Sequence, residues 1–290
     1  MKRWLGDVLL FFAWGFVMHA AGLLLHELAG HGIAYETLAC GVATVNLTYF
    51  GHGVVHAGPC DKWTWTARIV ADWAGLAVTI AAGLAAGVFL VRKRAKLSPL
   101  LRLLLGQVFF FFLIGQLAYA TNGGFHDVYD PARSAIWLEK KGLHVLAWLP
   151  PMVAYATVAF FGARLVVDAF REHFASQSRL HTLKQLAATL GVAGLVYWLA
   201  FTVEKQIRAD MPIKGVAVEA QRIAVVRGGP PPFPIDQVLH AIALAGVIAA
   251  LARPVSSSAK EEREGIPRNV ALGVAVASVV LVAMVTVFTR

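Results

Sequence analysis

The feature that most constrains this chain is a series of apolar runs, each long enough to cross a lipid bilayer. A transmembrane helix needs roughly 20 predominantly apolar residues, and seven such runs recur along the 290 residues. They occupy residues 7–33, 67–91, 99–121, 143–167, 183–203, 235–253 and 269–289. We therefore predict an all-α polytopic membrane protein with about seven transmembrane helices.

The overall composition supports a membrane protein. Apolar residues make up 58% of the chain and charged residues 15%, with a mean hydropathy of +0.64. Soluble domains carry about 25% charged residues. The first run is too long for a cleavable signal peptide and lacks a small-residue cleavage site. The lipid bilayer is thus the first predicted partner of this integral, multi-pass protein.

The basic residues indicate an orientation. The net charge is +9, and its Lys and Arg side chains are concentrated between the runs, for example in "VRKRAK" at 91–96. In a polytopic protein such residues are topology determinants, so we predict no nucleic-acid partner. A modest excess of basic residues favours a cytoplasmic N-terminus and places the first loop outside. Cys40 and Cys60 fall in that loop, where they either form a disulfide or remain unpaired.

Two loops have local structure of their own. Residues 36–66 contain the β-branched and aromatic runs "VATVNLTYF" and "GVVHA" with "GHG" between them, which predicts a small β-hairpin after the first span. Residues 122–142 open with the turn-forming "NGG". They become amphipathic from Pro131, a residue that suits the start of a helix.

Ionisable residues divide the chain into two regions. Residues 143–290 hold four spans and a polar linker at 254–268. Residues 1–142 hold three spans, both structured loops and six of the ten histidines, which are His19, His26, His31, His52, His56 and His126. Because ionisable groups inside a membrane are costly and usually functional, we predict that residues 1–142 form a metal-site core.

A short motif at the end of the first span carries the strongest chemical signal. Zinc proteases place two histidines four residues apart in His-Glu-x-x-His, with the Glu as general base. The stretch "LLLHELAGHGIAYE" at 23–36 instead places His31 five residues after His26. On a regular α-helix, positions five apart point about 140° away from each other. The two histidines would then lie on different faces.

The extra residue leaves three interpretations open. A π-bulge would absorb it, and such bulges are frequent at functional sites; Gly30 would supply the necessary backbone freedom. On a regular helix, Glu27 and His31 would instead share a face with His19, which suits a metal bound by Glu or a proton relay. Alternatively, the histidines are structural groups that satisfy one another.

The motif itself resembles that of a zinc peptidase family. "HELAGH" is similar in length and Gly placement to the HELLGH motif of dipeptidyl peptidase III. In that family both histidines bind zinc and the Glu activates water. This resemblance covers six residues, so it supports the spacing and implies nothing about the fold.

A broader resemblance covers residues 20–140. Their order is similar to that of the site-2-protease family, the intramembrane zinc metallopeptidases, in which a helix ending in HELGH precedes a β-rich segment. A span with an Ala-Gly-Pro-x-x-Asn-like run and a later Leu-Asp-Gly-Gly motif follow. Here the order is "LLLHELAGHGIA", the β-like "VATVNLTYFGHGVVHAGP" and "IVADWAGLAVTIAAGLAAG". "AGLAVT" lacks the Pro and Asn, and "HDVYDPAR" replaces Asp-Gly-Gly.

The resemblance implies one catalytic zinc ion. It assigns His26 and His31 as ligands and Glu27 as the catalytic base. In that family the later Asp is the third ligand, and two acids compete for this role here. Asp130 has Arg133 three residues on, as the family motif often has, whereas Asp127 is closer to the end of the third span. His126 is a further candidate.

Other polar residues are auxiliary candidates. His52 and His56 could reach the site from the hairpin, as oxyanion stabilisers or as ligands of a second metal, or they are solvated loop residues. Asp72 is either a hydrogen-bond partner for a ligating His or an interfacial residue. His19 is an auxiliary candidate on the first span.

Three functions follow, in order of preference. The first is a hydrolase, a metalloprotease that performs intramembrane proteolysis on a peptide or transmembrane segment, which adds a strand to residues 42–57. The second is an iron or copper oxidase or hydroxylase whose metal site uses five histidines and one glutamate, namely His19, Glu27, His31, His52, His56 and His126. The third is a non-catalytic metal-binding accessory subunit.

The charge bias places the metal site toward the outer side, whereas many site-2-protease relatives hold zinc toward the cytoplasm. The sequence carries no signature of an oligomeric state.

Overall fold

Seven long apolar helices form the body of the part of the chain that the structure describes. The structure, a computed structural model, describes residues 2–38, 41–50, 53–59, 63–176, 178–207, 233–254 and 265–288. Within these ranges the helices long and apolar enough to cross a membrane are Trp4–Thr37, Trp65–Lys96, Pro99–His126, Val145–His173, Arg179–Ile207, Ile235–Ala252 and Arg268–Val287. The predicted all-α polytopic fold is therefore confirmed, as is the small hairpin after the first span.

Two of these helices contain a π-helical stretch, so each is described in parts. The first comprises α1 (Lys2–Leu24), a π-helical segment (Leu25–Gly32) and α2 (Ile33–Thr37). The remaining elements, with a π-helical turn at Ala187–Gly191 between α7 and α8, are β1 (Val42–Leu47), β2 (Gly53–Ala57), α3 (Trp65–Lys93), α4 (Pro99–His126), α5 (Ala132–Glu139), α6 (Val145–His173), α7 (Arg179–Leu186), α8 (Val192–Ile207), α9 (Ile235–Ala252) and α10 (Arg268–Val287).

The hairpin lies against the middle of the first helix. β1 and β2 pair antiparallel, with Leu47 opposite Gly53 and Val45 opposite Val55. Leu47 is fully buried and packs in one apolar cluster with Phe16 and Ala20 of α1. This packing fixes which face of the hairpin points toward the helix, since a shift of one residue would turn Leu47 away.

The third span is longer than predicted. We expected a loop from residue 122, because "NGG" is typical of turns, but α4 continues through this stretch to His126. The two glycines serve packing instead. A Cβ on Gly123 would lie 2.7 Å from Pro131, and one on Gly124 would collide with the carbonyl of Ala147 in α6. The expected helix after Pro131 is present as α5.

The largest apolar core lies at the opposite end of the bundle from the His-Glu motif. It joins Val8 and Phe11 of α1 to Leu103 of α4 and Phe170 of α6. α3 packs on the π-helical segment, while α8 and α10 pack on α1. The motif is therefore enclosed by α3 on one side and by the hairpin on another, with the core closing the far end.

Candidate metal centre

The first helix changes from α to π geometry at the motif. Residues Leu25–Gly32 form the π-helical segment, in which backbone hydrogen bonds run from i to i+5. The wider turn returns His31 to the side of His26, and their Nε2 atoms lie 3.2 Å apart. The bulge interpretation therefore describes the backbone, and the regular-helix arrangement with His19 in line is wrong.

Gly30 has a different role from the one predicted. Its backbone is helical, so the conformational freedom of glycine is not what the position uses. A Cβ on Gly30 would instead lie 2.6 Å from the backbone nitrogen of Gly75 in α3. Gly75 in turn faces the motif, because its own Cβ would lie 2.7 Å from Nε2 of both histidines. Two glycines thus let bare backbone of α3 approach the imidazoles.

Asp130 completes the group. Its Oδ2 lies 3.1 Å from Nε2 of His26 and 3.1 Å from Nε2 of His31. The turn after α4 brings it there, because Asp127 and Tyr129 both have φ of 57°, and such left-handed residues reverse the chain. The amide of Val128 donates to the Gly123 carbonyl at 3.1 Å and closes the turn.

The other two candidates for third ligand lie elsewhere. Oδ1 of Asp127 is 3.1 Å from Nε2 of His144, at the start of α6. His126 lies near the charges of Asp127 and Asp236. Of the three candidates, Asp130 is the one that the structure brings to His26 and His31.

The orientation of the His31 ring is fixed from behind. Its Nδ1 donates a hydrogen bond to the carbonyl of Ala71 at 2.8 Å. A carbonyl can only accept, so in the neutral ring Nε2 keeps its lone pair and points it at His26 and Asp130. Backbone carbonyls commonly orient metal-binding histidines in this way.

Asp72 contacts an arginine. Of the two roles predicted for it, a hydrogen bond to a ligating His or an interfacial position, the first is filled by the main-chain carbonyl of its neighbour Ala71, which accepts from His31. Asp72 Oδ1 instead accepts from Arg133 Nη1 at 2.6 Å. Arg133 follows Asp130 by three residues, and the next side chain, Ser134, accepts from Trp73 Nε1 at 2.9 Å. These contacts attach the turn that carries Asp130 to α3.

The Asp130 carboxylate is held in its charged form. Burial alone would raise its pKa, but the two histidine side chains in contact with its Oδ2 outweigh burial and lower the pKa to about 2. The group therefore combines two imidazoles with one anionic oxygen at neutral pH.

Glu27 lies between this group and the hairpin. Its side chain is buried and is close enough to feel the charges of His26, His31 and Asp130. The backbone N–H of Val55 is a hydrogen-bond donor to its carboxylate. A Cβ on Gly53 would lie 2.7 Å from Glu27 Cγ, so β2 presents bare backbone to this residue.

Two tyrosines that the sequence analysis missed flank the imidazoles. The ring of Tyr35 stacks on His31 with centroids 6.0 Å apart, and that of Tyr119 meets His26 edge-on at 6.0 Å. Tyr35 follows His31 by four residues, which on a helix is the spacing of a same-face neighbour. That spacing could have identified Tyr35, whereas Tyr119 comes from α4 and left no local signal.

The remaining auxiliary histidines stand apart from the group. His19 lies along α1 with its ring 5.9 Å from that of Tyr197, and His56 is exposed on β2 opposite Thr44. His52, Cys40 and Cys60 lie outside the described residues. Within the described ranges, the one set of three His, Cys, Asp or Glu side chains close enough to hold a metal is His26, His31 and Asp130.

A cavity of about 1050 Å³ leads away from the group. It begins at Glu27 and Asp130 and follows α1 toward the large core, between α4 and α8. Glycines and aromatic rings form much of its wall, including Gly15, Gly22, Phe112, Gly115 and Gly194. A Cβ added at Gly115 or Gly194 would meet nothing within 4 Å, so these two positions border open space.

The donor set fits a zinc ion. Tetrahedral zinc with nitrogen and oxygen ligands at about 2.0–2.1 Å separates its donor atoms by about 3.3 Å. The three atoms here are 3.1–3.2 Å apart. Two histidines with one carboxylate are a catalytic zinc set that leaves a fourth position open. The chain matches no protein-family model, no curated protein and no solved structure.

Proposed function

We propose that the protein is a membrane-embedded zinc metallopeptidase that hydrolyses a peptide bond within or beside the bilayer. The observation that carries the proposal is the meeting of His26, His31 and Asp130 at 3.1–3.2 Å beside a buried Glu27. The cavity that borders all four residues gives a substrate segment a place to lie.

Each residue has one task in this proposal. His26, His31 and Asp130 would hold the ion, and the Ala71 carbonyl keeps the His31 ring in the right orientation. Zinc bound there would acidify a water molecule and polarise the scissile carbonyl. Glu27 takes the proton from the attacking water and passes it to the leaving nitrogen as the C–N bond breaks.

The hairpin gives the substrate an extended partner. A peptide bond must be exposed before it is hydrolysed, and adding a strand to residues 42–57 would hold a substrate segment extended. The backbone of β2 already contacts Glu27 through Gly53 and Val55. A segment paired with this hairpin would therefore lie beside the proposed base.

The one metal-binding group found among the described residues favours a peptidase over an oxidase. A His-rich iron or copper site would gather His19, His56 and His126 around the metal. In the structure these residues lie apart from His26 and His31, within the part of the chain that it describes. We propose one zinc per chain, in a site toward the outer side as the charge bias indicates.

The test is Glu27→Gln, with zinc content and turnover measured on the same detergent-purified sample. The amide keeps the shape of Glu27 but cannot take a proton, and removing a general base typically lowers kcat by about 10²–10⁴-fold. We expect one zinc per chain in both proteins and turnover of a membrane-peptide library in the wild type alone. Equal behaviour of the two proteins would instead favour an accessory metal-binding subunit.

A further inference from the structure

The turn that follows β1 is tied to the second half of the chain. Glu204 in α8 accepts the backbone N–H of Tyr49 on Oε1 at 2.7 Å and that of Phe50 on Oε2 at 2.7 Å. Hydrogen bonds to a charged acceptor are shorter and stronger than neutral ones. Because each oxygen holds a different amide, the direction of the carboxylate and the position of the turn fix one another.

Neighbouring contacts attach the same turn to other helices. The amide of Leu47 donates to the Phe288 carbonyl beyond α10 at 3.1 Å, and Tyr49 Oη lies 2.8 Å from Thr286 Oγ1. The ring of Phe50 packs edge-on against Tyr197 at 5.3 Å. Glu204 is the acidic side chain at this junction, and Tyr197 on the same helix borders the cavity.

The anchored end of the hairpin is also the end that touches Glu27. β1 ends at Leu47, which is opposite Gly53, the residue that presents its backbone to Glu27. Gly53 follows Phe50 by three residues, a reach of at most about 11 Å. A displacement of the turn therefore moves Gly53 and Val55, and with them the hydrogen-bond donor of the Glu27 carboxylate.

From these contacts we infer that Glu204 is a positioning residue for the hydrolysis. It holds the tip of the hairpin so that β2 stays against Glu27 and the base keeps its orientation toward the metal ligands. The inference rests on the proposed function, and it gives the four C-terminal spans a role in the site. α8 thereby links the cavity wall to the residue that moves the proton.

The test compares Glu204→Gln with Glu139→Gln, the same chemical change at an exposed position at the end of α5. An amide offers one acceptor oxygen, so Glu204→Gln loses one of the two bonds and the charge. We expect amide hydrogen exchange of residues 53–57 to quicken by about tenfold, as one lost charge-assisted bond implies. We expect kcat to fall by a similar factor, with KM and zinc content unchanged, and Glu139→Gln to match the wild type.

Three results would overturn the inference. Unchanged exchange in Glu204→Gln means that the carboxylate does not hold the hairpin. Faster exchange with unchanged kcat means that the hairpin does not position Glu27. Loss of zinc means that the variant disturbs the metal centre as a whole. If the wild type binds zinc but hydrolyses no peptide, the proposed function fails and the catalytic role of Glu204 fails with it, while the exchange data still decide whether Glu204 anchors the hairpin.

Discussion

At the scale of a residue, two carboxylates three positions apart show how the backbone determines which side chain reaches the candidate metal centre. Asp127 and Asp130 share one loop and one chemistry, and the sequence offers a reason for each. The backbone separates them, because φ of 57° at Asp127 and at Tyr129 turns the loop and brings Asp130 under the imidazoles. Non-glycine residues adopt this left-handed conformation uncommonly, so the local sequence did not predict it at these two positions.

We therefore predict opposite outcomes for Asp130→Asn and Asp127→Asn. An amide at 130 removes the anionic oxygen, so zinc affinity should fall by more than the roughly 10–100-fold that loss of a ligand's supporting contact costs. Asn at 127 suits a left-handed residue and lies away from the proposed zinc site, so affinity should stay within about twofold. Competition with a chelator measures both. Zinc loss in Asp127→Asn with retention in Asp130→Asn would show that Asp127, and not Asp130, binds the zinc.

Gly75 is a second residue whose importance comes from proximity. We predict that Gly75→Ala weakens zinc binding by about tenfold or more, since its Cβ would lie 2.7 Å from Nε2 of both histidines and push at least one ring away. The matched control is Gly273→Ala in α10, where a Cβ meets nothing within 4 Å. Zinc titration of both variants decides it, and equal affinities would show that α3 does not press on the imidazoles.

The π-helical segment shows what the sequence could predict at the scale of an element. The spacing of His26 and His31 excluded a shared face on a regular helix, and the observed π geometry over Leu25–Gly32 resolves that conflict. The hairpin was equally local, because its β-branched runs and central Gly residues lie within one loop. The end of α4 could not be predicted from the local sequence. Its glycines resemble a turn, yet they serve close contacts with Pro131 and Ala147 that lie farther along the chain.

If the π-helical segment absorbs one inserted residue, removing one residue there should be tolerated. We predict that deleting Ala29, which gives the regular His-Glu-x-x-His spacing, retains one zinc per chain because an α-helical turn then places both histidines on one face. Deleting Ala21, in the regular part of α1, should lower zinc content and helical content, since it rotates the motif by about 100° against the rest of α1. Elemental mass spectrometry and circular dichroism test both. Zinc loss on deleting Ala29 would mean that the wider turn itself is needed.

At the scale of the whole molecule, hydropathy predicted the spans but not their neighbours. Each of the seven spans is recognisable from its own apolar residues, so all seven could be predicted from the sequence. Packing among apolar helices depends on small residues and a few polar contacts, which composition does not order. Glu204 illustrates the limit. It meets the hairpin 155 residues away, and the sequence around it contains nothing that names this partner.

The last prediction concerns the cavity and tests whether the helices enclose a route to the proposed zinc site. Leu at Gly115 or Gly194 would extend into the open space between α4 and α8 without striking a neighbour at Cβ, and Leu favours a helix more than Gly does. We expect each variant to keep its zinc and to lose about tenfold or more in kcat/KM for a membrane-peptide substrate. Gly273→Leu, equally open but on α10 away from the cavity, should match the wild type. Full turnover in both cavity variants would mean that the substrate reaches Glu27 by another path, whereas loss in all three would point to a general effect of Leu on helix packing.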